Sequence, residues 1–287
     1  MYYAMIDRER CVLRLSGADA RDFLQDIVTN DVTRLSPGRG IYAALLTPQG
    51  KYLFDFVLYA GGDAILLETE TQRAAALAQR LTMYRLRRDV TIEATDLAVV
   101  LVWNADLSDD PHPAQMSNPA QASAPATAET ALAVPDPRHP GLGWRLLSAA
   151  PDTMLAGLDA RIAEPSAYHA RRIALGVPHG GAELLPEETF ILEVGFERFH
   201  GVDFKKGCYV GQEVTARMKH KTELRKGLAR VAIEGAAQPG VAVTAGEKTA
   251  GTLHSVSGSE GLAHLRFDRT GGEMRAGEAR LRLIERI

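Results

Sequence analysis

"KKGCYVGQEVTAR", Lys205 to Arg217, carries the residues on which the reading of the whole chain turns. It sets one of only two cysteines between glycines, then adds a glutamine, a carboxylate and an arginine. A cysteine is ordinarily a small buried hydrophobe. Cys11, beside the alternating apolar run Val12 to Leu15, fits that description, and Cys208 does not. Gly207 and Gly211 suit a tight turn with close backbone approach. Lys205, Lys206 and Arg217 bring positive charge, which favours the thiolate, the reactive and metal-ligating form. Gln212 and Glu213 would hydrogen-bond the turn that presents the thiol, or share in its chemistry. A closed metal site needs about four ligands. One cysteine without a CxxC partner therefore holds no stable iron–sulfur centre, but it can supply one ligand transiently or across a complex. His200 and His220 are near in sequence, yet their spacing does not specify a Cys–His pair.

The surroundings are basic. From Arg198 to Lys226 there are eight Lys/Arg against three Asp/Glu, a local +5 on a chain of net −3. Such a run is either a solvated face or an anion site for a polyanionic cofactor tail or RNA. No exposed aromatics interleave the charges, which argues against direct nucleic-acid binding. The overall charge points to no global nucleic-acid or membrane role. Two distant cysteines make no disulfide framework and fit a reducing compartment. The start "MYYAMIDRERC" lacks an apolar signal region, and no run of about 18 apolar residues predicts a membrane helix. The expectation is a cytoplasmic protein. There is no GxGxxG, Walker A, HExxH or GxSxG, which removes the commonest nucleotide, zinc-protease and serine-hydrolase readings.

A length of 287 residues with 46% hydrophobic content suggests two or three packed units. Ser16 is expected to cap a helix whose apolar face is Phe23, Leu24, Ile27 and Val28. "GIYAALLTPQGKYLFDFVLYAGGDAILLETE" reads as three strands broken by Pro48-Gln49-Gly50 and Gly61-Gly62-Asp63, an antiparallel meander. A helix from near Thr71 and strands in "DVTIEA" and "LAVVLVW" follow. This order predicts α+β rather than a doubly wound sheet. Residues 104–141 hold 7 of the 14 prolines without aliphatic periodicity, and read as a loop or insertion. Order resumes at "GWRLLS", with a helix in "AEPSAYHARRIALG". From Arg225, five short glycine-punctuated strands predict a small all-β barrel of about 60 residues.

With these residues in view, the opening stretch resembles the signature K-G-C-[FY]-x-G-Q-E-x-x-x-R of the YgfZ-type proteins. These are folate-binding relatives of the glycine-cleavage T-protein, implicated in iron–sulfur cluster assembly or repair. All eight specified positions match. "FLQDIVTNDVTRL" followed by "AALLTPQGKYLFDFVLY" is similar to the opening of the T-protein superfamily, and the C-terminal strands match its barrel in place and size.

The resemblance implies two interlocked α+β subdomains around a tetrahydrofolate channel (1–103 with 142–222), plus a β-barrel at 223–287. It implies that Cys208 is the working residue and that Lys206, Gly207, Tyr209, Gly211, Gln212, Glu213 and Arg217 shape its loop. Tyr168, in "YHARRIALGVP", and Asp55 are the implied folate contacts. Arg10 stands where a second aromatic is expected. Of the paired aspartates of true aminomethyltransferases only Asp55 remains, with Phe54 beside it, which counts against glycine-cleavage chemistry. The implied function is support of [4Fe–4S] proteins, with assembly partners or client enzymes, radical tRNA-modifying enzymes among them, and no membrane partner. The rival is a folate-dependent transfer of an aminomethyl or methyl unit. A third reading is a ligand-binding scaffold whose cysteine only senses redox state.

Overall fold

The computed structural model describes residues 1–106, 131–221 and 224–287, and its chain divides into two compact units. Unit 1 comprises residues 1–44, 54–165 and 200–209. Strands β1 (Tyr2–Asp7) and β2 (Arg10–Ser16) lead into helix α1 (Ala20–Ile27). The meander follows as β3 (Ile41–Leu46), β4 (Tyr52–Gly61) and β5 (Ala64–Glu70). Next come α2 (Ala74–Arg85), β6 (Thr91–Ala94), β7 (Ala98–Asn104), β8 (Ala131–Pro135), β9 (Trp144–Ser148), α3 (Pro151–Ala156) and β10 (Arg161–Ile162).

One sheet runs β3–β4–β5–β2–β6 and the other β10–β1–β7–β9–β8. Strand β4 is buried over its first eight residues, "YLFDFVLY", so it packs on both faces. It pairs antiparallel with β5, setting Val57 opposite Glu68 and Leu58 opposite Leu67, as the expected meander requires. The α+β class holds.

Several local expectations do not. Ser16 ends β2, and the residue flanking α1 is Asp19, so Ser16 is no helix cap. Of residues 104–141, read as lacking fold elements, Ala131–Pro135 forms β8, which pairs antiparallel with β9, and Pro140–Leu142 make a helical turn. Residues 107–130 of that stretch lie outside the described residues.

A buried charge network draws on both sheets of unit 1. Arg10 Nε meets Glu68 Oε1 at 2.9 Å, and Arg145 Nε meets Glu68 Oε2 at 2.9 Å. Arg145 also bonds Glu68 Oε1 and reaches Asp136 Oδ2 at 2.7 Å. Arg138 forks onto Asp136 at 2.9 and 2.7 Å. The Tyr59 hydroxyl donates to Glu68 Oε2 at 2.5 Å, and that of Tyr42 to Asp55 Oδ2 at 3.2 Å. Burial pushes both phenols well above their ordinary pKa, reinforced by the carboxylate beside each. Burial also raises the Asp7 carboxyl. For Glu68 burial acts upward too, but Arg145 and Arg10 outweigh it and bring the pKa down to about 2. Asp136 is likewise lowered, by Arg138 and Arg145 against burial.

A carboxylate whose folded pKa is depressed stabilises the fold above its unfolded pKa and loses that contribution as pH falls through the folded value. Thermal stability is therefore expected to fall as the pH drops from 4.5 towards about 2. A Glu68→Gln protein should show a flatter acid limb in a pH series of melting curves. Parallel limbs in the two proteins would remove Glu68 from the acid response.

Unit 2 comprises residues 45–53, 166–199 and 210–287. It holds α4 (Pro165–Ala174), α5 (Gln212–Lys221) and strands β11 (Lys226–Glu234), β12 (Ala242–Ala245), β13 (Lys248–Ser257), β14 (Glu260–Arg266), β15 (Met274–Ala276) and β16 (Ala279–Arg286). The six strands close in the order β11–β14–β13–β12–β15–β16 around Val231, Leu253, Leu265, Met274 and Leu281. The barrel was expected with five strands; β15, three residues long, is the sixth. Arg172 of α4 pairs with Glu183 at 3.0 Å and donates to Ser255 Oγ of β13 at 2.8 Å.

Candidate functional site

Helix α1 buries Phe23, Leu24 and Ile27 and stops at Val28, which is extended. The last carbonyls of a helix have no partner within it, and they form the negative end of its dipole. Here Lys206 supplies the partner. Its Nζ lies 2.6 Å from the Gln25 carbonyl, 2.5 Å from that of Val28 and 3.0 Å from that of Asn30. The residue is 8% exposed. Burial lowers the Lys206 pKa from 10.5 to about 8, against the pull of Asp31, Asp26 and Asp203. The ammonium is thus still mostly charged at neutral pH.

Further bonds fasten the preceding residues to the same turn. Thr29 Oγ1 donates to the Gly201 carbonyl at 2.6 Å, and Asn30 Nδ2 to that of His200 at 2.6 Å. The Asp203 N–H donates to the Thr29 carbonyl at 3.0 Å, and Arg34 pairs with the Asp203 carboxylate at 3.0 Å. After Lys206 the chain turns outward: Gly207 and Cys208 are exposed, and Tyr209 is buried again. Lys206 Nζ stands 5.3 Å from the Tyr209 ring centroid, within cation–π range. The cysteine is held out between two buried side chains.

The two glycines of the motif differ. A Cβ on Gly207 would meet open space. Gly211 has φ +83°, and its Cβ would come 2.6 Å from the Thr47 carbonyl oxygen and 3.0 Å from Gly50 Cα. Close approach, expected of both, is found at Gly211 alone. The remainder of the motif is helix rather than turn. Gln212 opens α5, Glu213 stands in its first turn where a carboxylate suits the positive dipole end, and Thr215 Oγ1 donates to the Gly211 carbonyl at 3.2 Å. Gln212 is half-buried, while Glu213 and Arg217 are exposed.

The basic run is partly spent on partners within the chain, most of them at its surface. Lys206 serves α1, Arg198 pairs with Glu285 at 2.6 Å, Lys226 with Glu193 at 3.4 Å, and Lys219 with Glu197. The seat of Lys206, made by the Gln25, Val28 and Asn30 carbonyls, is the feature of this loop that sequence reasoning missed. Its signal was the polar run Thr29-Asn30-Asp31 after an apolar helix face.

Asp55 belongs to unit 1 and Tyr168 to unit 2. Asp55 is 3% exposed and accepts from Tyr42, and its carbonyl accepts from Thr69 Oγ1 at 3.2 Å. Tyr168, in α4, is 8% exposed. Arg10 is committed to Glu68, and Phe54 lies under the Arg73 guanidinium at 4.6 Å. Cys11 is half-buried in β2, and burial pushes its thiol pKa up. Among the described residues no group of three or more His, Cys, Asp or Glu could hold a metal ion, and no helix is long and apolar enough to cross a membrane.

Comparison with known proteins bears on the fold and the family. Residues 9–103 match the GCVT N-terminal domain, and residues 225–285 match the CAF17 C-terminal beta-barrel domain. The crystal structure of glycine cleavage system aminomethyltransferase T from Bartonella henselae superposes with a TM-score of 0.76 over 99% of this chain and 85% of that one. At 12% identity this likeness speaks for the fold alone. The mitochondrial iron–sulfur cluster assembly factor IBA57 of Mus musculus and that of Homo sapiens are each 33% identical, over 92% of this chain and 78% of theirs. The IBA57 homolog of Neurospora crassa is 33% identical over 76% of this chain, which spans half of that protein's length. All three relatives are named as mitochondrial proteins, which overturns the cytoplasmic expectation. On the extent and identity of the mouse and human matches, the chain belongs to the IBA57 family of iron–sulfur cluster assembly factors, built on the fold of the glycine-cleavage aminomethyltransferases.

Proposed function

We propose that the protein supports the assembly or repair of [4Fe–4S] proteins, with Cys208 as the thiol that meets the cluster. The observation that carries this is the exposure of Cys208 between the buried Lys206 and Tyr209. A thiolate there donates an electron pair to one iron of a cluster, the cargo of the reaction. A closed site needs about four ligands. No metal-binding group of three or more side chains occurs among the described residues, so the remaining ligands come from an assembly partner or a client enzyme. Radical enzymes that modify tRNA are clients of this kind. The full match to the KGCYVGQE signature supports the finer likeness to YgfZ-type proteins.

The resemblance implies tetrahydrofolate contacts at Asp55 and Tyr168, and both side chains are buried. Asp55 is 3% and Tyr168 8% exposed, so each side chain offers a ligand of pterin size little surface. The assembly role we propose rests on Cys208 and does not depend on a folate step. The same burial disfavours the rival one-carbon transfer, which needs Asp55 beside a folate nitrogen.

The test is complementation of cells lacking the gene, read as the activity of a [4Fe–4S] enzyme. Cys208→Ala should fail to restore it while the purified variant keeps the wild-type melting temperature, since an exposed side chain is lost. Full restoration by Cys208→Ala would end the proposal.

A further inference from the structure

We propose that Lys206 is the positioning residue for Cys208: its ammonium, seated among the carbonyls at the carboxyl end of α1, holds the Gly207–Cys208 pair at one place on the surface of unit 1. The inference rests on Cys208 being the working thiol. It assigns the motif lysine a role other than the one its charge suggests. A lysine two residues from a cysteine reads as a cation that stabilises the thiolate or moves its proton. An ammonium has three N–H donors. Lys206 has a carbonyl for each, from Gln25, Val28 and Asn30, at 2.6, 2.5 and 3.0 Å. No N–H remains for a thiolate, so Lys206 acts on Cys208 through the chain.

The chain is short enough for that to matter. Consecutive Cα atoms are about 3.8 Å apart, so Gly207 and Cys208 lie within two such steps of a fixed residue on either side. Lys206 fixes the near side and the buried Tyr209 ring the far side. Gly207 needs this restraint most, because a glycine with open space around it has no side chain to limit its backbone. The acceptors are backbone atoms of α1 and its following turn, a rigid support that precedes the cysteine by about 180 residues and shares its unit. Lysine suits the seat better than arginine, whose donors are spread along a planar fork instead of converging from one atom.

The experiment uses the full chain with Cys11→Ser, so that a nitroxide label attaches only at Cys208. Labelled protein is compared with Lys206→Met, and with Lys205→Met as the control, since Lys205 is exposed. Lys206→Met is expected to sharpen the room-temperature line shape, showing a freed loop, and Lys205→Met to leave it unchanged. In unlabelled form, Lys206→Met should restore [4Fe–4S] enzyme activity on the order of a hundredfold less well than wild type, the scale on which a 1 Å misplacement costs a reacting geometry. Should Lys206→Met not fold, Lys206→Gln, neutral but still a donor, takes its place. An unchanged line shape in a folded variant overturns the proposal. So does full restoration by a variant whose label has become mobile. If Cys208→Ala also restores the enzyme, the reading of Cys208 is what fails, and the line shape alone decides whether Lys206 anchors the loop.

Discussion

Arg145→Met is expected to lower the unfolding free energy by about 3–5 kcal/mol, the cost of breaking a buried ion pair from one side. Arg145 is 2% exposed and is the member of the network that touches both Glu68 and Asp136. Methionine keeps much of its length but leaves two buried carboxylates with one cation fewer. Removing Glu68 as well takes away one of those charges, so the double variant should lose less than the sum of the singles, by about 1–3 kcal/mol. A surface pair is the contrast. Arg14 and Asp63 meet at 3.1 Å, but Asp63 is largely exposed. Breaking that pair should cost less than about 1 kcal/mol. Urea unfolding followed by circular dichroism measures the four variants against the wild type. A cost for Arg145→Met below that of the surface pair would show that water already reaches the network.

Gly211→Ala should lower the melting temperature far more than the same change at Gly207. A non-glycine residue in a left-handed conformation costs about 1–3 kcal/mol. The added methyl would also stand 2.6 Å from a backbone oxygen, where neither atom is the end of a flexible chain. Since Gly211 immediately precedes α5, the strain falls on the junction between the cysteine loop and that helix. Gly207→Ala, with open space at its Cβ, should keep the wild-type melting temperature. Paired melting curves read the difference. Equal losses at the two positions would mean that both glycines serve backbone freedom alone.

What could be read in advance was what repeats locally. The meander is announced by apolar runs ended by Gly50 and Gly61-Gly62, and the barrel by short strands between glycines. The pairings β4–β5, β12–β13, β13–β14 and β15–β16 join consecutive strands and are legible from their turns, whereas β11–β14, β12–β15 and the closing β11–β16 are not. Strand β8 escaped because "ALAVP" sits in a proline- and alanine-rich stretch, and only the fold shows that it pairs with β9. Helix α5 escaped because it starts inside a glycine-bearing motif and presents little apolar face; α3, six residues after Ala150, offers too short a pattern.

The site was legible in part. Cys208 stands out by composition, because a glycine-flanked cysteine contradicts the usual burial. The partner of Lys206 could not be read, since it is backbone about 180 residues earlier. Nor could the network: Glu68 and Arg145, 77 positions apart, each look like the solvent-facing residue of a strand. Long-range electrostatic pairing leaves no periodic trace.

The closed order of β11 to β16 limits how another protein can bind this end of the chain. An open sheet presents a row of unpaired N–H and C=O groups on which a second chain can add a strand. Here β16 pairs with β11, so the ladder has no terminal strand to extend. A partner that docks on residues 226–286 must recognise side chains and turns, and its specificity there is written in surface chemistry rather than in main-chain hydrogen bonding.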